Sequence, residues 1–322
     1  MRIEEKIANA YQSAAAGLQV PGEIDARLKK TFEQSFRARV GGHGRSPRSM
    51  WKVALIGLLA TVIVGFTTQY FVKIGDGRFN LELKSVERIP FDAATAETVR
   101  AQLSSVKDRL LDGEKALVYS PEIEALQPPE MHKGLIFAEY VSNPFRHTDL
   151  VLWEQTLKDG VPGYRLPTSM LNDYSFAWGE EESAFGGFVQ ETDVAAELQA
   201  EVKESQSLAW RKIFRDNDPF PSYTTVYAGP DRTEIRITMQ VFGEYAKMVG
   251  LANGTQEKVA LNGKEAVYGF SDKFLYSDTN RYKSLSWIDT QSEVSVLYTI
   301  GSASDLVTKE QLIAIGETMT GS

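Results

Sequence analysis

From Val53 to Val72 the chain reads VALIGLLATVIVGFTTQYFV, twenty residues without one charged side chain, and Lys52 and Lys73 bracket the run. About 20 apolar residues in a helix cross a hydrocarbon core of roughly 30 Å. Within lipid every backbone amide must be satisfied internally, which a helix does. Trp51 ahead of the run, with Tyr70 and Phe71 near its end, suits the aromatic belts of the two interfaces. A buried core helix or a cleavable signal segment would be the alternatives. A signal segment has a shorter apolar stretch, usually of about 7–15 residues near the N-terminus, and a small-residue cleavage site. This run follows a 52-residue leader, so one transmembrane helix over 52–73 is expected.

Charge sets the expected orientation. Residues 1–52 hold ten Lys/Arg and five Asp/Glu, a net of +5, and the remaining 25 bases and 38 acids leave the rest of the chain at −13. Arg37, Arg39, Arg45, Arg48 and Lys52 lie in the window next to a span where bases fix topology. The expected location is therefore the cell membrane, single-pass, with the N-terminus cytoplasmic and the acidic remainder extracytoplasmic. The same bases favour contact with anionic membrane lipids. Gly57, Thr61 and Gly65 repeat every four residues, a small-residue seam through which two copies could form a homodimer.

The cytoplasmic arm, 1–40, reads as an amphipathic helical hairpin. Ile3, Ile7, Tyr11, Ala14 and Leu18 recur at three- and four-residue intervals. Val20-Pro21-Gly22 breaks the helix. Ile24, Leu28, Phe32, Phe36 and Val40 then form a second stripe. Two helices of this length bury both stripes with little margin, which leaves apolar surface for a partner or for the bilayer surface. Residues 41–51, Gly-rich and basic, are a flexible connection.

Beyond the span the periodicity changes to strands with a few helices. Phe79 to Leu83 alternates as a strand does, and Ala93 to Leu111 is a helix. Ala116 to Tyr119 and Leu135 to Val141 are strands. Residues 179–187 read as loop with Glu180-Glu181-Glu182 as a solvated tip, and Val194 to Phe214 as a helix. After Pro221, Thr224–Tyr227, Thr233–Phe242, Glu257–Val267, Ser284–Ile288 and Val294–Ile300 follow as strands, and Asn262-Gly263 marks a hairpin. Val307 to Met319 is a closing helix, with Thr308 as N-cap and Gln311 completing a capping box. Residues 74–220 and 221–322 are expected as an α+β region and a C-terminal antiparallel module of sheet plus helix.

Three stretches carry a family resemblance: Leu261-Asn262-Gly263-Lys264-Glu265-Ala266-Val267-Tyr268, then Leu285-Ser286-Trp287, then Lys309-Glu310-Gln311-Leu312-Ile313-Ala314-Ile315-Gly316-Glu317. Together, over roughly Tyr223 to Met319, they resemble the module called domain of unknown function 4367, found in membrane-anchored proteins of Gram-positive bacteria that include anti-sigma factors. The resemblance implies a lipoprotein-carrier-like fold, a curved antiparallel sheet partly enclosing a helix. Val20 to Leu28 resembles the short cytoplasmic segment of such anti-sigma proteins. Zinc-binding members of that class use a His and paired cysteines, and this chain has no cysteine.

Residue types exclude most chemistry. Without Cys there is no thiolate ligand or nucleophile, and His43, His132 and His147 are too scattered for a zinc site. No G-x-S-x-G elbow occurs. Asp216-Asn217-Asp218 opens like a calcium loop but continues into Phe220-Pro221, and Gly41-Gly42-His43-Gly44 lacks the Lys-Ser/Thr of a phosphate loop. No enzyme, cofactor, metal or direct nucleic-acid partner is expected. The expected function is anti-sigma regulation: Ile3, Ile7, Tyr11, Leu18, Ile24, Leu28, Phe32 and Phe36 would hold a sigma factor while the exported domain senses envelope state. The alternative is a membrane-anchored extracytoplasmic binding protein for a lipid, peptide or wall component.

Overall fold

The computed structural model describes residues 60–61, 71–75, 80–85, 91–126, 136–167, 170–171, 173–185, 187–189, 192–205, 207–213, 221–242, 247–290 and 294–321. The hairpin residues of the arm and the seam residues Gly57 and Gly65 lie outside them, as does most of the 52–73 run. Of that run, Ala60–Thr61 forms a two-residue strand, β1, and its end belongs to a strand, β2, Phe71–Gly75. Thr61 of the seam thus falls on β1. Among the described residues no helix is long and apolar enough to cross a membrane.

The described part of the chain beyond β2 is α+β, with mostly antiparallel sheets. In chain order it contains β3 (Asn80–Ser85), α1 (Ala93–Lys107), β4 (Glu114–Tyr119), α2 (Pro121–Ala125), β5 (Ala138–Asn143) and α3 (Leu150–Gly160). There follow β6 (Ser175–Glu180), β7 (Gly187–Val189), α4 (Thr192–Ser205), β8 (Ala209–Ile213), β9 (Ser222–Ala228) and β10 (Glu234–Phe242). The chain closes with β11 (Lys247–Asn253), β12 (Thr255–Leu261), β13 (Lys264–Ser271), β14 (Tyr282–Thr290), β15 (Ser295–Ser302) and α5 (Lys309–Thr320). Three sheets result, in strand orders β1-β11-β3-β2, β12-β13-β14-β15-β10-β9-β6 and β7-β5-β4-β8.

The seven-stranded sheet shows the period-2 rule plainly. Ile235, Ile237 and Met239 of β10, and Val296, Tyr298 and Ile300 of β15, point to one face and join a core with Leu261, Leu285 and Trp287. Helix α5 lies on that face with Leu312, Ile315 and Met319 buried, and α3 covers the other end with Trp153 and Leu157. The Trp287 and Tyr298 rings, directly opposite in register, stack 5.1 Å apart. The hairpin at Asn262-Gly263 forms as the sequence predicts. Both residues take positive φ, 48° and 84°, as a two-residue loop that follows strand twist requires. Thr308 and Gln311 close their capping box.

The β7-β5-β4-β8 sheet is covered on one face by α1 and α2, through Ala96, Val99, Val106 and Ile123. Its other face packs Leu117 and Ala138 against Ala195 and Leu198 of α4. The connection between β13 and β14 joins the two layers. Leu275 enters the α1 cluster, Tyr276 donates its hydroxyl to buried Glu139 at 2.5 Å, and Arg100 of α1 donates back to the Leu275 carbonyl. Phe185, Phe274, Tyr276 and Tyr282 pack edge-on and stacked at this junction.

Several expectations need correcting. The helix expected over Val194 to Phe214 stops at Ser205, and Ala209–Ile213 is a strand beside β4. Aromatic and β-branched Trp210 and Ile213 gain more on a pleated surface than in a helix. The acidic triplet is no solvated tip: Gly179 and Glu180 belong to β6, and Glu180 and Glu182 are only 6% and 7% exposed. A division at 220 does not separate the two sheets, because β6 pairs with β9 and α3 packs on the same core.

Buried phenols make the fold sensitive to base. Burial raises the Tyr276, Tyr282 and Tyr298 hydroxyls well above their usual value near 10, and Tyr119 and Tyr227 to about 12. A phenol kept protonated in the fold binds a proton that the unfolded chain has already released above pH 10. The stability tied to it is therefore intact below about 10 and drains as pH rises further, by up to about 1.4 kcal/mol per tyrosine and pH unit. The urea midpoint should hold near pH 9 and fall steeply at pH 11. An unchanged midpoint at pH 11 would count against these burials.

Candidate functional site

The charged residues with the most unusual surroundings gather where the end of α1, the turn after β5 and the edge strand β6 meet. Glu180 ends β6, where its carboxyl is buried. Burial raises its pKa above the usual carboxylate value, and Arg236, Arg146 and Lys107 pull it back in part. Arg146 Nε lies 3.8 Å from Glu180 Oε2. The Arg146 guanidinium also rests 4.6 Å above the Trp178 ring, a cation–π contact. Arg236 of β10 bonds Glu234 at 2.8 Å and the Ala184 carbonyl at 2.9 Å. Lys107, in the last turn of α1, is lowered first by desolvation, against the attraction of Glu180. Three cations thus surround one buried carboxyl group; Arg236 also pairs with Glu234, and Asp108 acts on Lys107. Beside them Lys115 pairs with buried Glu182.

This cluster borders an open cleft of about 500 Å³ lined by Lys107, Asp108, Leu110, Asp112, Asn143, Pro144, Phe145 and Arg146. Local geometry holds the lining firm. Asp112 precedes Gly113, which takes φ 81° so that the chain can turn into β4, and Gly113 N–H donates to the Asn143 carbonyl at 2.6 Å. Asn143 Nδ2 donates to the Leu110 carbonyl and to Asp112 Oδ1. The Phe145 ring lies against Gly113 and is 63% exposed, and Leu111, two residues before Gly113, is 69% exposed. Two large apolar side chains at the rim of a polar cleft form a surface suited to a ligand. Trp178 Nε1, under Arg146, is buried without an acceptor among the described residues.

None of these residues stands out in the sequence. Lys107, Arg146, Glu180 and Arg236 are far apart in the chain and share no spacing, and Glu180 sits in a triplet that composition marks as solvent-facing. Phe145-Arg146 after Asn143-Pro144, an aromatic and a base after a turn dipeptide, is a local signal that could have pointed to it. His147 lies beside β6: its backbone pairs with Gly179 and its ring packs 5.4 Å from Trp153. His132 and Asp216 to Asp218 lie outside the described residues. Trp287 belongs to the core of the large sheet, and Tyr268 packs against it. Among the described residues no group of three or more His, Asp or Glu could hold a metal ion. The chain matches no protein-family model, no curated protein and no solved structure.

Proposed function

We propose that the chain is a single-pass membrane regulator of the anti-sigma type, with a cytoplasmic arm that holds a sigma factor and an exported domain that senses a ligand. The observation that carries this reading is the absence of slack after the apolar run. Phe71 and Val72, its last two residues, are already in β2, which pairs along its length with β3, and Ile74 is buried. A mere tether would be joined by a flexible linker, whereas a transducer needs its sensing domain coupled stiffly to the span. Taking Phe71 and Val72 into a strand leaves 53–70 for the membrane, about 27 Å of helix at 1.5 Å per residue, still near the hydrocarbon thickness. Large-sheet cover by α5 fits the lipoprotein-carrier-like arrangement that the family resemblance implies. The pairing of Ala60–Thr61 with Ala252–Asn253 of β11 cannot coexist with that helix, so the bilayer-inserted chain would release β1.

The arm decides the matter. Residues 1–50, presented to the full set of cellular sigma factors, should capture one, and Leu28→Asp with Phe32→Asp should abolish capture by placing two charges in the apolar stripe. An arm that captures no sigma factor would defeat the regulator. The second reading, a membrane-anchored binding protein whose arm is only an anchor, is favoured by the cleft at Arg146 and would then stand.

A further inference from the structure

We infer that the cleft between α1 and the turn after β5 binds a short peptide through its free C-terminal carboxylate. This rests on the exported domain being a ligand-sensing domain and names the chemistry of its ligand. Among the described residues Lys107 Nζ and the terminal nitrogens of Arg146 make no hydrogen bond, although both side chains line the cleft. A carboxylate meets both needs: it accepts a forked pair of hydrogen bonds from a guanidinium and one more from an ammonium. Glu180 does not satisfy them, since its contact with Arg146 is at Nε and stretched to 3.8 Å. Pairing with the ligand would occur over the Trp178 face, which already orients the guanidinium.

The rest of the lining selects a peptide over a simple anion. Asp108 and Asp112 bring negative charge into the same cleft, which weighs more heavily against doubly charged phosphate or a polyanion than against one carboxylate, and accepts an amide N–H or an amino group. Phe145 and Leu111, left in water, offer apolar contact to one side chain. A ligand with a carboxylate at one end, donors along its length and an apolar side chain beside the carboxylate uses every feature, and a C-terminal peptide is the simplest such molecule.

The test uses the full chain in detergent micelles and equilibrium dialysis with a radiolabelled tripeptide, Ala-Ala-Leu, as free acid and as C-terminal amide, with inorganic phosphate as a third probe. The acid should bind at least tenfold more tightly than the amide, the scale of one charge-assisted hydrogen bond. Arg146→Gln and Lys107→Gln should each weaken the acid about tenfold and leave the amide unchanged, while Arg232→Gln, exposed on a distant turn, should do neither. Melting profiles matching the wild type would establish that the variants fold. Equal binding of acid and amide, binding of neither, or binding of phosphate alone would overturn the inference. Sigma-factor capture by the arm is read separately, so its loss would defeat the regulator and leave the peptide site standing, and the reverse holds equally.

Discussion

Replacing Trp153 by Ala should cost about 3–5 kcal/mol, the range for emptying a buried aromatic site, and should leave the domain largely unfolded at 37 °C. Trp153 is the largest fully buried side chain of α3 and the means by which that helix is fixed to the sheet. Its ring fills the space between His147, 5.4 Å away, and Tyr223, 6.4 Å away. Its Nε1 donates to Thr225 Oγ1 at 2.8 Å, so the truncation also strands a buried hydroxyl on β9. Trp153→Phe should retain most of the packing and lose only the hydrogen bond, a smaller loss of about 1–2 kcal/mol. Urea unfolding of the two variants measures the difference, and near-equal losses would show that the ring does not hold α3 as described.

Gly179→Ala should be comparably damaging although it adds a single methyl. Gly179 lies on β6 under the indole of Trp153, and a Cβ there would sit inside the van der Waals envelope of the ring's Cδ2, Cε2 and Cγ atoms. The ring has no free end to swing away, and the strand is held on both sides by pairs to β9 and to His147. Either the helix lifts or the strand bulges, at a cost of about 2–3 kcal/mol or more. Gly316 of α5 provides the contrast. A Cβ there meets Leu285 Cδ2 at 2.9 Å and Leu261 Cδ1 at 3.2 Å, flexible chain ends that can shift by a few tenths of an ångström. Ala is favoured over Gly within a helix by about 1 kcal/mol, so Gly316→Ala should be close to neutral. The two sites are coupled in a checkable way: on a Trp153→Ala background, Gly179→Ala should lose most of its penalty. If the penalty persists in the double variant, the strain lies elsewhere.

Elements whose identity rests on local pattern were legible in the sequence. The Asn262-Gly263 hairpin, the capped α5 and the alternating β10 and β15 follow from turn chemistry, capping and period, which neighbours in sequence decide. Helix α3 was missed because its first turn, Leu150-Val151-Leu152, is exposed, which blurs the stripe that Trp153 and Leu157 define. Strand β8 was lost inside an apparently continuous helix, since its edge position leaves Arg211 and Lys212 outward at intervals that a helix also permits. The candidate site was illegible for a different reason. Lys107, Arg146, Glu180 and Arg236 come from a helix, a turn and two strands, and only the closure of two sheets makes them neighbours. Composition reads three successive glutamates as water-loving. It cannot register that a strand edge tucks the first and third inward, to meet bases supplied from elsewhere.

The connection from Asp272 to Arg281 has a consequence for how such a domain could arise and spread. By lodging Leu275 and Tyr276 in the neighbouring layer, it makes each half the other's missing core piece, while β6 and α3 return the debt from the opposite direction. Neither half could be shuffled into another gene and keep its shape, so the smallest heritable block is the pair. Any drift in one layer has to be answered by the other.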